Sequence, residues 1–380
     1  MNPSDPIYLD HNATTPLLPE VVEAMLPYLR EHFGNPSSGH VYGARARSAL
    51  AHAREQVAAL LGCDPDEVLF TSGGTEANNL AIRGVGEALE ARSHIVTTAI
   101  EHPATARPCA WLEKHERSVT RVGVDAEGRA SVNQAREAID GDTALVTVMH
   151  SNNETGVLQP VRELAGLAHG AGALLHTDAA QSLGKVPVNV RDLDVDLLSV
   201  AGHKLYAPKG VGALYVKRGT PLVPFVLGAS HERGLRPGTE NVASIVGLGA
   251  ACAAVGRDLE AAANRMRALR DELWARLGAD VPGLALNGHR ELRLPNTLNV
   301  RFPRATGDAV LTGAPEIAAS TGSACHEGHE SASAVILAMG VAPKEALGSV
   351  RLTLGRSTTE DDVARASEAL VRSWRRVAGE

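Results

Sequence analysis

The chain has 380 residues, 44% of them hydrophobic and 21% charged, with a formal net charge of -7. That length suits a large core and roughly two domains, and the balance is ordinary for a soluble protein. The charge argues against a nucleic-acid or membrane-surface role, and no apolar run approaches the ~20 residues that span a bilayer.

The opening residues, Met-Asn-Pro-Ser-Asp-Pro, show no basic region followed by an apolar one, so no secretory signal is expected. From about Pro16 to Val255 apolar runs alternate with longer stretches of helical character. The runs are Val68–Thr71, His94–Ala99, Ala144–Met149, Leu174–Thr177, Asp196–Val200 and Gly212–Val216. The helical stretches include Ala77–Ala91 and Val161–Ala171. Such alternation predicts an α/β architecture with a mostly parallel sheet, whose ligands gather at the carboxyl ends of the strands. The run Val242–Val255 is short and rich in Ala, Gly and Ser, which reads as a closely packed helix.

From about Asp258 the character changes. Met266, Leu269, Leu273 and Leu277 form one stripe of a long helix. A strand (Thr297–Phe302), a small-residue loop near Cys325, a helix (Ser331–Met339), a strand (Ser349–Leu354) and a last helix (Glu360–Val377) follow. The expected division is a large α/β domain over residues 16–257 and a smaller α+β domain from residues 1–15 and 258–380. The four cysteines, Cys63, Cys109, Cys252 and Cys325, lie far apart with no CxxC pair. That argues against a zinc knot or disulfide framework and for a reducing, cytoplasmic location.

Polar clusters fall where the strands end. Phe70-Thr-Ser-Gly-Gly-Thr75 turns from a strand into a helix, and its backbone N–H groups with the Thr75 hydroxyl suit an anion. The plainer reading is an N-capped helix without a ligand. Gly84-Val-Gly86 lacks a third glycine and lies inside a helix, so it is no dinucleotide fingerprint. His102, after the strand His94–Ala99, can stack on a flat ring or move a proton. Asn153 lies in the polar turn His150–Gly156 and can bind a hydroxyl or a carboxylate. Asp178 ends the run Ala173–Asp178, and Lys204 follows Ser199-Val-Ala-Gly-His203. An acid and a lysine at the ends of neighbouring buried strands suit pyridoxal phosphate, the lysine for its aldehyde and the acid for its ring nitrogen. Cys325 sits in Gly322-Ser-Ala-Cys325-His326, where the histidine favours a thiolate. The other three cysteines read as small buried hydrophobes. No metal site is expected, because Cys325, His326 and His329 lack a regular ligand scaffold.

Taken together, these segments resemble a family. They are Tyr8-Leu-Asp-His-Asn-Ala-Thr-Thr-Pro16, Gly34-Asn-Pro-Ser-Ser38, Thr71–Asn79, Glu101-His102, Asn152–Gly156, Thr177–Gln181, Gly202-His-Lys204, Glu232–Thr239, Gly322–Cys325 and Val350–Arg356. Their order and spacing resemble the pyridoxal-phosphate cysteine desulfurases of aminotransferase class V, a branch close to selenocysteine lyases. The resemblance implies the fold-type I aminotransferase fold, a homodimer, and conversion of L-cysteine to L-alanine. Sulfur would pass to Cys325 as a persulfide and then to an acceptor protein.

Residue by residue, the resemblance makes Lys204 the cofactor-linked lysine and Asp178 the partner of the ring nitrogen. Gln181 would bond the ring hydroxyl, and His102 would stack on the ring. Gly74, Thr75 and His203 would hold the phosphate, with Thr239 reaching it from the other subunit. Asn12, Asn153 and Arg351 would serve the substrate, Arg351 through its forked guanidinium. Two departures stand out. Ala201 occupies a position where many desulfurases carry a phosphate-binding serine. His326 follows the cysteine, as in selenocysteine lyases, so selenocysteine lyase is the near alternative. A sulfur scaffold with a vestigial site is the non-enzymatic one.

Overall fold

The computed structural model describes residues 5–322 and 331–380, so Cys325, His326 and His329 lie outside the described residues. The strands run in chain order β1 (Ile7–Tyr8), β2 (Val68–Thr71), β3 (His94–Thr98), β4 (Ser118–Val122), β5 (Thr143–Met149) and β6 (Leu174–Asp178). They continue with β7 (Leu197–Ala201), β8 (Gly212–Val216), β9 (Ala285–Leu286), β10 (Thr297–Arg301), β11 (Ile317–Ala318) and β12 (Ser349–Thr353).

Seven strands make the main sheet, in the order β2-β8-β7-β6-β5-β3-β4. Strands β4, β3, β5, β6 and β7 are parallel, and β8 runs against both β7 and β2. All the strands except β8 therefore end on one edge of the sheet. β5 shows why these segments are strands. Its sequence Thr-Ala-Leu-Val-Thr-Val-Met is buried at every position, as a parallel strand covered on both faces must be. Val146 and Val148 join a core with Leu175 and Leu198, while Leu145 turns to a second core with Ile95 and Leu197. The helices Val41–Leu61, Val161–Gly170 and Val242–Arg257 cover the first face, and Gly74–Ala88 and Pro103–Glu113 cover the second.

Helix Val242–Arg257 packs as closely as its small residues predict. A Cβ on Gly249 would lie 2.7 Å from Ala53 Cα. No single described helix is long and apolar enough to cross a membrane.

A separate antiparallel sheet, β12-β10-β9, packs with the helices Leu259–Asp280 and Glu360–Ala378. The stripe Met266, Leu269, Leu273 and Leu277 is buried, as is Trp374. Ile7 and Leu9 belong to this core, and β1 pairs with β11. The N-terminal segment is thereby tied to the C-terminal part of the chain. β4 has no counterpart among the apolar runs of the sequence. It is an edge strand, and Ser118, Thr120 and Arg121 face solvent.

Candidate active site

The strand edge where β3, β5, β6 and β7 end carries a cleft with about 490 Å³ of empty space. Of the residues expected at the site, it is lined by Gly74, Thr75, His102, Asn153, Asp178, Gln181, His203 and Lys204. Asp178 ends β6, and Lys204 closes a 3-10 turn, Gly202–Lys204, directly after β7. Register brings the two strands together, with Asp178 opposite Ser199.

Lys204 is the central group. Desolvation pulls its pKa below the ordinary lysine value, the Asp178 charge works the other way, and Arg351 lowers it further. No described residue accepts a hydrogen bond from its Nζ. Asp178 is held by two donors, Asn78 Nδ2 to Oδ2 at 2.7 Å and Ala180 N to Oδ1 at 2.9 Å. Its orientation is therefore set before any ligand arrives. His102 faces the same space and caps helix Pro103–Glu113, its Nδ1 accepting from Ala104 N at 3.1 Å. Desolvation and then Lys204 lower its pKa, so the ring is neutral near pH 7 with its proton on Nε2.

The anion cradle differs from the plain capped helix. The helix begins at Gly74, one residue before Thr75, and Gly73 stands at the N-cap with no side-chain cap. Gly73 has φ 152°, a conformation that side chains rarely adopt. The N–H groups of Gly74 and Thr75 have no acceptor in the described chain, which suits an anion at a helix start. His203 lies across from them, its Nδ1 3.2 Å from Thr14 Oγ1. Ala201 also lines the cleft, and a Cβ on Gly74 would come within 3.1 Å of the Ala201 Cβ.

The cleft's rear wall is a polar network. Gln181 Nε2 donates to the Asn12 carbonyl at 2.9 Å, and its Oε1 accepts from Lys185 Nζ at 3.1 Å. Asn12 does not line the cleft. Its Nδ2 donates to the Asn153 carbonyl and to Thr297 Oγ1, and its Oδ1 accepts from Asn296 and Lys185. Asn12 thus stands behind the wall and positions Asn153. Arg351, from the middle of β12, donates to the same Asn153 carbonyl at 3.0 Å and to Asp10 Oδ1 at 2.7 Å. Its Nε is buried without a partner among the described residues, and Arg351 does not line the cleft. Thr239 is exposed and does not line the cleft of its own chain.

Several residues of this network were not singled out in the sequence. Asn78 had a readable signal, since it lies four residues beyond Gly74 on the same helix face. Asp10 had none, because its partner Arg351 is 341 residues away. Lys185 follows Gln181 by four residues, but nothing in the sequence says that the pair is buried.

Residues 7–366 match the aminotransferase class-V family. The chain is 47% identical to a cysteine desulfurase of Gluconacetobacter diazotrophicus, over 96% of this chain and 92% of that one. It is 44% identical to the cysteine desulfurase NifS of Azotobacter vinelandii, over 94% and 90%. Among solved structures, a NifS-like protein superposes with a TM-score of 0.90 at 36% identity, covering 97% of this chain and 98% of that one. The chain belongs to the class-V aminotransferase family, among its cysteine desulfurases. Enzymes of this family depend on pyridoxal phosphate.

Proposed function

We propose that this chain is a cysteine desulfurase that binds pyridoxal phosphate, converts L-cysteine to L-alanine and hands the sulfur to an acceptor protein. The observation that carries the reading is Lys204 Nζ, a desolvated amine without a hydrogen-bond partner among the described residues, in a cleft shared with Asp178 and His102. The residues fit the cofactor. Lys204 suits its aldehyde, Asp178 its ring nitrogen, Gln181 its ring hydroxyl and His102 its ring face. The uncapped start at Gly74 and Thr75, with His203, suits its phosphate. When bound, the cofactor accepts the electron pair released at the substrate Cα.

The chain's own groups do the rest. Asn153 lines the cleft and Arg351 stands behind it on the Asn153 carbonyl, and the two would hold the substrate carboxylate. Lys204 Nζ takes the proton from the substrate Cα, a transfer favoured by a lowered amine pKa. The Cys325 thiolate attacks the substrate sulfur, so that an S–S bond forms as the Cβ–S bond breaks; Cys325 is left as a persulfide, and the electron pair left at Cβ takes up a proton on the way to alanine. Elimination supports that choice of thiol. Desolvation pushes the thiols of Cys63, Cys109 and Cys252 up to about 12, so none is a ready nucleophile. All three are free cysteines, in keeping with a reducing, cytoplasmic setting.

A homodimer completes the reading, with Thr239 of each subunit serving its partner's phosphate. Two observations support it. Leu29, Phe33 and Leu227 are large apolar side chains exposed by 64%, 80% and 87%, more than isolated surface positions require. The segments bearing them meet where Ser37 Oγ lies 3.5 Å from His231 Nε2. Selenocysteine lyase is the second reading, favoured by His326 after Cys325. A vestigial scaffold is disfavoured by the intact Lys204, Asp178 and Arg351.

The test is an assay for alanine and sulfide from L-cysteine, repeated with L-selenocysteine. Borohydride reduction followed by peptide mapping should place the cofactor on Lys204. A label on Lys185 or Lys209 would refute the assignment.

A further inference from the structure

Lys185 is a buried amine that the proposed chemistry leaves unused. It is 2% exposed and does not line the cleft. Its Nζ donates to Gln181 Oε1 at 3.1 Å and to Asn12 Oδ1 at 3.4 Å. No described carboxylate pairs with it. A lysine kept inside without a counter-ion is costly. A methionine would fill the same space without that cost, so packing alone does not account for a lysine here.

The geometry around Gln181 supplies the reason. The two ends of a carboxamide match in shape and are opposite in hydrogen bonding. Gln181 Nε2 meets the Asn12 carbonyl, which only accepts, and Oε1 meets Lys185 Nζ, whose N–H donates. Flipping the amide would set donor against donor at Lys185 and acceptor against acceptor at Asn12. One Nε2–H remains after the bond to Asn12, and Gln181 lines the cleft.

We infer that Lys185 is a positioning residue: it locks the Gln181 amide so that an N–H, not a carbonyl, serves the cofactor's ring oxygen. The inference rests on the pyridoxal-phosphate reading. A donor on that oxygen stabilises its anionic form and lowers the pH at which the proton it shares departs. Lys185 also braces the substrate side through Asn12, because the Asn12 amide holds the Asn153 carbonyl that Arg351 shares. Burial, and after it Lys204 and Arg351, pull the Lys185 pKa down to about 7. The lock does not depend on that titration, because a neutral amine donates as an ammonium does.

The experiment titrates the visible band of the cofactor-loaded enzyme with pH, for wild type and Lys185→Met, each also in a Gln181→Leu background. Thermal midpoint and cofactor content are checked for every variant. The expected result is a rise of about 0.5–1 pH unit in the midpoint for Lys185→Met, with no further rise once Gln181 is Leu. KM for cysteine should rise in the same variant. An unmoved midpoint, or an equal rise in both backgrounds, overturns the proposal. Should Lys185→Met not fold, Lys185→Gln takes its place. Its side chain is too short to keep the Gln181 contact, and the same two readings decide. Failure of both variants to fold would assign Lys185 to the fold and overturn the proposal as well. A wild-type enzyme with no visible band would instead refute the functional reading itself.

Discussion

His102 does two things with two nitrogens. Nδ1 accepts from Ala104 N and caps the start of a helix, which leaves Nε2 to carry the ring proton, and the side chain lines the cleft. Asparagine can repeat the first task, because its side-chain oxygen caps helices well, but it has no ring. His102→Asn should therefore keep its thermal stability, while His102→Ala should lose about 1 kcal/mol. Both should lower kcat for cysteine by roughly 10²–10⁴-fold. Equal activity in the His102→Asn enzyme and wild type would show that only the cap matters. Cys325 admits a similar separation. Cys325→Ser should keep the cofactor and lose alanine formation from cysteine by several powers of ten. Alanine release from selenocysteine should survive, since a selenol leaves more readily than a thiol. The check is anaerobic alanine production from both substrates. Near-normal turnover of cysteine would end the persulfide mechanism.

Elements were legible where burial writes itself into composition. β5, buried on both faces, shows as a mostly apolar run interrupted only by threonine, and β4, at the edge, shows no run at all. The side-chain cap expected of the cradle helix is absent, because its N-cap is Gly73, which leaves no polar side chain to read. Residues that face the cleft directly could be named from motifs. Of the residues that hold them, Asn78 carried a signal in its helix-face spacing from Gly74, whereas Asp10 meets a partner from a distant strand and nothing in the sequence marks Lys185 as buried. Glu154 belongs to that second group. It follows β5, and its Oε2 accepts from Ser333 Oγ at 2.5 Å. Ser333 in turn caps the helix Ala334–Ala338. On the other side, a Cβ at Gly322 would stand 3.0 Å from the same oxygen. One carboxyl thus meets both ends of the segment that contains Cys325. Burial pushes its pKa up to about 7, against the Ser333 bond and the Arg351 charge. Between the unfolded value of about 4.5 and 7 the folded state holds more protons than the unfolded state. The stabilisation is complete below that window and is lost as pH rises through 7. Glu154→Gln removes the dependence. Urea unfolding at pH 5.5 and 8 should show wild type losing ground to Glu154→Gln, by at most ~1.4 kcal/mol per pH unit. A pH-independent difference would mean that Glu154 titrates normally.

The whole molecule leaves one piece of its site unaccounted for within a single chain. Thr239, which the family resemblance assigns to the phosphate, is exposed and does not line the cleft that holds Gly74 and Thr75. The loop bearing Thr239 is nonetheless fixed, not loose. Glu232 receives Arg54 at 2.6 Å and Phe70 N at 2.9 Å, and Arg236 Nε reaches Glu76 Oε1 at 2.9 Å. A loop anchored in this way and presenting a hydroxyl to solvent would suit the surface of a second copy. If that surface is a second copy, each site takes Lys204 from one subunit and Thr239 from the other. Thr239→Ala and Lys204→Ala homodimers should then both be impaired, the second abolished. A heterodimer of the two variants holds one site with both groups intact and one with neither. It should recover up to about half of the wild-type activity, because independent sites add. Tagged, co-purified heterodimers assayed for alanine from cysteine provide the measurement. If Thr239 served its own chain, every Lys204-bearing site in the heterodimer would lack Thr239, and activity would not exceed half that of the Thr239→Ala homodimer.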